Sequence, residues 1–164
     1  MKKCILAITC LIMTVSSVFS QGKPKKGADE FVFDKKAGIV TDLSGNTLFT
    51  IEYVKSVTAP GNSDYYFKNA DGKMLIVFKF ASYRDPLLVS QSNSNGIQNY
   101  YEIKFFSDPV KESECRFFFL KGLVNMVYEK KLIVSGKLNE EKMEEFIVIN
   151  GNTFSRRRSE LSRY

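Results

Sequence analysis

The chain has no histidine and no tryptophan, and only three cysteines and four prolines among its 164 residues. Without histidine there is no Ser-His-Asp or Cys-His nucleophile, no imidazole base, and no histidine-bearing zinc or copper site. The GxSxG, Walker A and GxGxxG patterns are all missing. The chemistry left open is carboxylate catalysis, Ser-Lys chemistry, or calcium held by oxygen ligands. No cofactor and no metal are expected. Asp42-Leu43-Ser44-Gly45-Asn46 and Asn69-Ala70-Asp71-Gly72 superficially resemble calcium loops. Neither has the alternating oxygen ligands and the distal bidentate glutamate that such a loop needs, so both read as turns.

What is present begins with an address. Lys2 and Lys3 precede an uncharged, mostly apolar run from Cys4 to Phe19, and Val18-Phe19-Ser20 stands before Gln21. This is the layout of a secretory signal peptide, with an apolar run shorter than a membrane span. Export is expected, to periplasm or exterior, with cleavage near Ser20/Gln21. Cys10 follows Leu6-Ala7-Ile8-Thr9 halfway through the apolar run, which does not suit lipid attachment. Cleavage leaves 144 residues, Gln21–Tyr164, with Cys115 as the single remaining cysteine. That length suits one domain with its own core. Cys115 adjoins Phe117-Phe118-Phe119-Leu120 and reads as a buried apolar residue rather than half of an intermolecular disulfide.

The formal charge of +6 overstates the basic character of the body. Losing Lys2 and Lys3 leaves 22 Lys and Arg against 18 Asp and Glu. Seven of those cations lie at the ends: Lys23, Lys25 and Lys26, then Arg156, Arg157, Arg158 and Arg163. Residues 27–155 carry 15 cations and 17 anions. A body so balanced does not present the cationic face of a nucleic-acid binder. The basic ends suggest at most weak contact with an anionic surface. The remaining partner classes are an envelope protein or a polysaccharide, for a monomer or weak dimer.

Residues 1–20 are thus read as signal peptide, 21–28 as a flexible basic leader, 29–155 as one domain and 156–164 as a basic tail. Within the domain, strands are expected at Glu30–Asp34, Gly38–Thr41, Asn46–Val54, Tyr65–Asn69, Met74–Ala81 and Tyr100–Phe106, each apolar or β-branched and bounded by turn residues. Residues 38–51 align without gaps on residues 65–78, matching Asp42 to Asn69, Gly45 to Gly72 and Leu48 to Leu75. Each copy predicts a hairpin: an Asx side chain opens the turn, and glycine takes its positive-φ position. The longest irregular segment is Tyr83–Asn99.

Leu120, Leu123, Val124 and Val127 then recur at helical spacing, with Lys130 and Lys131 at the end where a helix favours cations. Phe117–Phe119 suits either the start of this helix or the end of a preceding strand. A second helix is expected with Asn139 as cap, Glu140 and Glu141 in its first turn, Met143, Phe146 and Ile147 on one face, and Gly151 at its end. The acidic run Glu140, Glu141, Glu144 and Glu145 reads as its solvated face. The expected fold class is α+β: an antiparallel β-meander of about six strands, open or curled, followed by two C-terminal helices packed on the sheet.

A polar site, if present, is expected beside the irregular segment, where Arg84, Asp85, Tyr100, Tyr101 and Glu102 bring a guanidinium, carboxylates and phenols together. These residues suit ligand binding, and a binding or interaction module is the leading functional expectation. A carboxylate-based enzyme is the alternative. The repeated hairpins Gly38–Phe78 resemble those of the tubby-like barrel family, whose strands turn at D-x-x-G-x-x-L/V patterns. The resemblance covers about a quarter of the chain and would imply a barrel around an apolar helix, with phosphoinositide binding in some members. More broadly the chain resembles small exported bacterial proteins of unassigned function, which implies no mechanism.

Overall fold

The computed structural model describes residues 30–163 except 58 and 60. The expected signal peptide, its cleavage site and the basic leader lie outside the described residues. Seven strands pair antiparallel in sequence order: β1 (Phe31–Asp34), β2 (Ile39–Asp42), β3 (Thr47–Lys55), β4 (Ser63–Lys68), β5 (Met74–Arg84), β6 (Ile97–Phe105) and β7 (Lys111–Arg116). Helix α1 (Leu120–Glu129) follows, then the two-residue strands β8 (Ile133–Val134) and β9 (Lys137–Leu138), and helices α2 (Glu140–Asn150) and α3 (Thr153–Leu161). The class is α+β, a meander followed by C-terminal helices.

The register explains the core. Directly opposed residues share a face, so the pairs Phe33–Val40, Val40–Phe49, Ile51–Phe67, Phe67–Ile76, Phe78–Ile103, Phe80–Tyr101 and Tyr101–Cys115 trace one apolar face across the sheet. Ring contacts link it: Phe49 to Phe67 at 5.5 Å, Phe67 to Phe78 at 5.1 Å and Tyr101 to Phe117 at 5.6 Å. Leu123, Val124 and Val127 of α1, with Met143 and Phe146 of α2, close the same cluster. The opposite face is mostly polar, which antiparallel sheets tolerate.

Both aligned segments form the expected hairpins, with identical turns. Asp42 N–H donates to the Asn46 carbonyl (2.9 Å) and Gly45 N–H to the Asp42 carbonyl (3.1 Å). Twenty-seven residues later, Asn69 N–H donates to the Lys73 carbonyl (2.9 Å) and Gly72 N–H to the Asn69 carbonyl (3.0 Å). The Asx side chains accept from Asn46 N–H (2.8 Å) and Lys73 N–H (2.8 Å) respectively. Even the register shifts coincide, between Val40 and Thr41 in one copy and between Phe67 and Lys68 in the other. A bulge at the same aligned position bends both strands into their turns.

Several segments differ from expectation, the short β8–β9 pair among them. Strand β7 was not anticipated, because Lys111-Glu112-Ser113-Glu114-Cys115-Arg116 carries a single apolar residue and four charges. It is a strand because β6 supplies its ladder and Cys115 reaches the core. Helix α3 occupies residues read as a polar tail, and the chain bends at Gly151 and Asn152 to form it. Phe117–Phe119 joins neither element; it connects β7 to α1, with Phe119 as the N-cap of α1. The expected second helix is α2, and Asn139 Oδ1 accepts from Lys142 N–H at 3.3 Å.

Gly38 sits at φ 67° between β1 and β2, where an added Cβ would lie 2.2 Å from the Ile51 carbonyl oxygen. That oxygen belongs to the β3 backbone and cannot retreat without breaking the sheet. Gly45, at φ 87°, has nothing within 4 Å of its Cβ position. Gly38→Ala is therefore expected to cost about 3 kcal/mol or more, and Gly45→Ala about 1 kcal/mol. Urea denaturation of the two variants reads the difference directly; equal midpoints would refute the close approach at Ile51.

Candidate functional site

Alternation along β6 divides the residues expected to form a site. Tyr101 faces the core, 1% exposed, and its hydroxyl donates to the Phe118 carbonyl at 3.3 Å. Tyr100 and Glu102 face the other way. Arg84 is exposed at the end of β5, opposite Ile97, and forms no ion pair among the described residues. Asp85 is buried and begins a short 3-10 turn, Pro86–Leu88, by accepting from Leu87 N–H at 3.0 Å.

Asp85, Tyr100 and Glu102 do come together, and α3 lies over them. Arg157 Nε donates to Asp85 Oδ2 at 2.8 Å and its Nη2 to Oδ1 at 3.3 Å, a two-point pairing. Arg158 Nη2 lies 3.1 Å from Glu102 Oε1, which also accepts from the Tyr100 hydroxyl at 3.1 Å. Phe154 stacks on Tyr100 with ring centroids 5.1 Å apart. Glu114, opposite Glu102 on β7, accepts from Phe154 N–H (2.8 Å) and Ser155 N–H (3.1 Å), the unsatisfied amides of the first turn of α3. Two like charges facing each other across adjacent strands would repel; Arg158 and the α3 amides offset that.

The arrangement anchors a helix. Every oxygen of Asp85 and Glu114 is engaged, Tyr100 is fully buried, and two of the four tail arginines are occupied. Burial, followed by the Glu102 charge, pushes the Tyr100 phenol well above its ordinary range. The expected constellation thus holds the C-terminal helix to the sheet, and Glu102 also lines an acidic cleft beside α3.

A more apolar open space lies elsewhere. Helices α1 and α2 and the β7 edge enclose a cleft of about 620 Å³, well within the range of small-molecule sites. Its apolar lining is Cys115, Phe118, Met126, Phe146, Ile149 and Phe154. Four cations border it: Arg116, Lys130, Lys131 and Lys142. Lys142 Nζ is bonded to Glu145 Oε2 at 2.7 Å. Arg116, Lys130 and Lys131 form no ion pair among the described residues, although the Arg116 guanidinium lies 4.9 Å over the Phe118 ring. Desolvation pushes the Cys115 thiol up to about 12, so it is an inert part of the wall.

Three further clefts measure about 610 Å³, so lining rather than size separates them. One holds Glu102, Glu112 and Glu114 beside Lys104, and another Asp71, Asp108 and Glu140 beside Lys73 and Lys137. The third joins Phe33, Tyr53 and Phe119 to Lys35 and Lys121, of which Lys121 is already engaged. Among the described residues no group of three or more His, Cys, Asp or Glu side chains is placed to hold a metal ion.

The cleft was only partly legible beforehand. Lys130 and Lys131 stood out at a helix end, and Met143, Phe146 and Ile147 as an apolar face. That Arg116 and Ile149 border one space with them depends on how α2 crosses β7. The fold and cleft define a small α+β protein with a single meander sheet and a helix-walled cavity. No family model matches the chain, and neither a curated protein nor a solved structure does.

The Arg157 hydrogen bonds hold the Asp85 carboxyl below its usual range, and the Leu87 N–H bond adds to this. A lowered folded value means stability that is present above the unfolded value, about 3.9, and is lost as pH falls through the folded one. Asp85→Asn is expected to melt below the parent at neutral pH, with the two Tm values converging under acid conditions below about pH 4. Arg157→Ala should behave alike and add little to Asp85→Asn. A constant Tm gap across the pH range would show that the pair does not anchor α3.

Proposed function

We propose that this protein is an exported binding module that holds a partly apolar small ligand in the cleft between α1, α2 and β7. The observation carrying this reading is one cleft lined both by apolar side chains and by three cations that form no ion pair among the described residues, Arg116, Lys130 and Lys131. Ligand sites combine an apolar body with few polar groups that orient the occupant. Export rests on the N-terminal pattern of Lys2, Lys3 and the run from Cys4 to Phe19. The carboxylate-enzyme alternative has its strongest candidates in Glu102 and Glu114, one from each of two neighbouring strands. Both serve α3: Glu114 caps its first turn and Glu102 binds Arg158. That commitment favours binding over acid-base chemistry.

Neighbouring residues on α2 allow a direct test. Ile149 lines the cleft and is 69% exposed, whereas Val148, 83% exposed, does not line it. Both tolerate charge without disturbing the core. Saturable binding of the neutral dye Nile red to the mature protein is expected. Ile149→Glu should weaken it about tenfold and Val148→Glu should leave it within about twofold. Equal behaviour of the two variants, or no saturable binding by the parent, would sink the reading.

A further inference from the structure

Resting on the cleft reading above, the geometry points to an occupant class: a single-chain amphiphile with an anionic head, of the fatty-acid type. Its acyl chain runs along Phe118, Met126, Phe146 and Ile149, and its carboxylate meets Arg116, Lys130 and Lys131. The charge around the cleft selects the sign of the head. The lining holds four cations against two acids, Glu129 and Glu145; Glu145 is bonded to Lys142 and also feels the charge of Lys130. Two of the other clefts carry more acids than bases in their linings, and the third has Lys35 and Lys121 with no acid, so this cleft is one of two with a positive border and the one with more cations. The apolar wall, in turn, selects against a wholly hydrophilic anion, whose hydration would be lost on entry without compensation.

Cations at the end of α1 have an ordinary explanation in the helix dipole, and it covers Lys130. Lys131 is harder to explain that way. The helix ends in a Schellman closure: Leu132 N–H donates to the Val127 carbonyl (3.0 Å) and Lys131 N–H to that of Tyr128 (2.9 Å). This places Lys131 in the left-handed region at φ 52°, a position where glycine is the favoured residue. A lysine there is strained, and a dipole contribution was already available from Lys130. Its side chain borders the cleft. A strained non-glycine residue at the mouth of a cavity is accounted for by what its side chain meets there. Arg116 is pre-positioned too, its guanidinium 4.9 Å from the centroid of the Phe118 ring, which lines the cleft.

The experiment titrates the mature protein calorimetrically with dodecanoate, dodecyl maltoside and dodecyltrimethylammonium, each below its micelle concentration. Phosphatidylglycerol vesicles and polygalacturonate are run in parallel. Dodecanoate is expected to bind at one site, about tenfold or more tighter than the neutral and cationic chains, and more weakly as salt rises. Lys131→Gly should weaken dodecanoate about threefold to tenfold while raising Tm by about 2–4 °C through relief of backbone strain. Lys131→Arg should retain binding. A variant that gains stability and loses binding separates ligand contact from a merely structural role. Equal affinity for dodecanoate and dodecyl maltoside, with Lys131→Gly unaffected, would overturn the anionic head and leave the apolar cleft standing. Failure of every amphiphile together with Nile red would remove the cleft reading and this one with it. Binding confined to vesicles or to polygalacturonate would overturn the free amphiphile in favour of a membrane surface or a polyanion.

Discussion

A meander sheet has one apolar face to hide, and everything else in this protein follows from how that face is covered. The register from Phe33–Val40 to Tyr101–Cys115 brings apolar residues from all seven strands onto the same side. Such a surface in water would drive association. Leu123, Val124 and Val127 of α1 lie in its cluster, and Met143 and Phe146 of α2 extend the cover toward β7. Two helices spanning seven strands do not seal the layer completely. The cleft lies where α1, α2 and the last strand diverge, so it is a product of the same packing that stabilises the core.

The β7 edge is where the two sides of the sheet are joined. Ser113 points to the core side, and its hydroxyl donates to the Gly151 carbonyl at 3.3 Å, where α2 ends. Glu114, the next residue, points to the opposite side and caps α3. Adjacent residues on a strand face opposite ways, so the bent helical segment wraps around the edge with one contact on each side. An exposed edge strand invites pairing with other chains. Here the charges of β7 and the helix folded over it protect the edge. Phe154 contributes to both environments, stacking on Tyr100 and lining the cleft, so the anchoring of α3 and the shape of the cavity are mechanically connected.

Charge distribution follows the same logic. Arg157 and Arg158 read along the chain as part of a free basic cluster, but Asp85 and Glu102 neutralise them. The cleft cations that form no ion pair among the described residues come from two places in the fold: Arg116 at the end of β7, and Lys130 and Lys131 at the end of α1.

Period-two alternation, Asx-Gly turns and the 3.6-residue spacing of Leu120–Val127 determined six of the seven meander strands, both repeated hairpins, α1 and α2 from the sequence alone. Each is a local pattern whose physical cause lies within a few residues. Strand β7 and helix α3 were decided by tertiary structure. The first is too polar to declare itself and exists by pairing with β6; the second buries none of its residues and is held by Glu114, Asp85 and Glu102 from other elements. The expected polar constellation illustrates the same boundary. Asp85, Tyr100 and Glu102 lie together beside α3, whereas alternation sends Tyr101 into the core and leaves Arg84 exposed at the end of β5. The cleft itself was beyond sequence reasoning, because a cavity is the volume left between elements, and only their packing defines it.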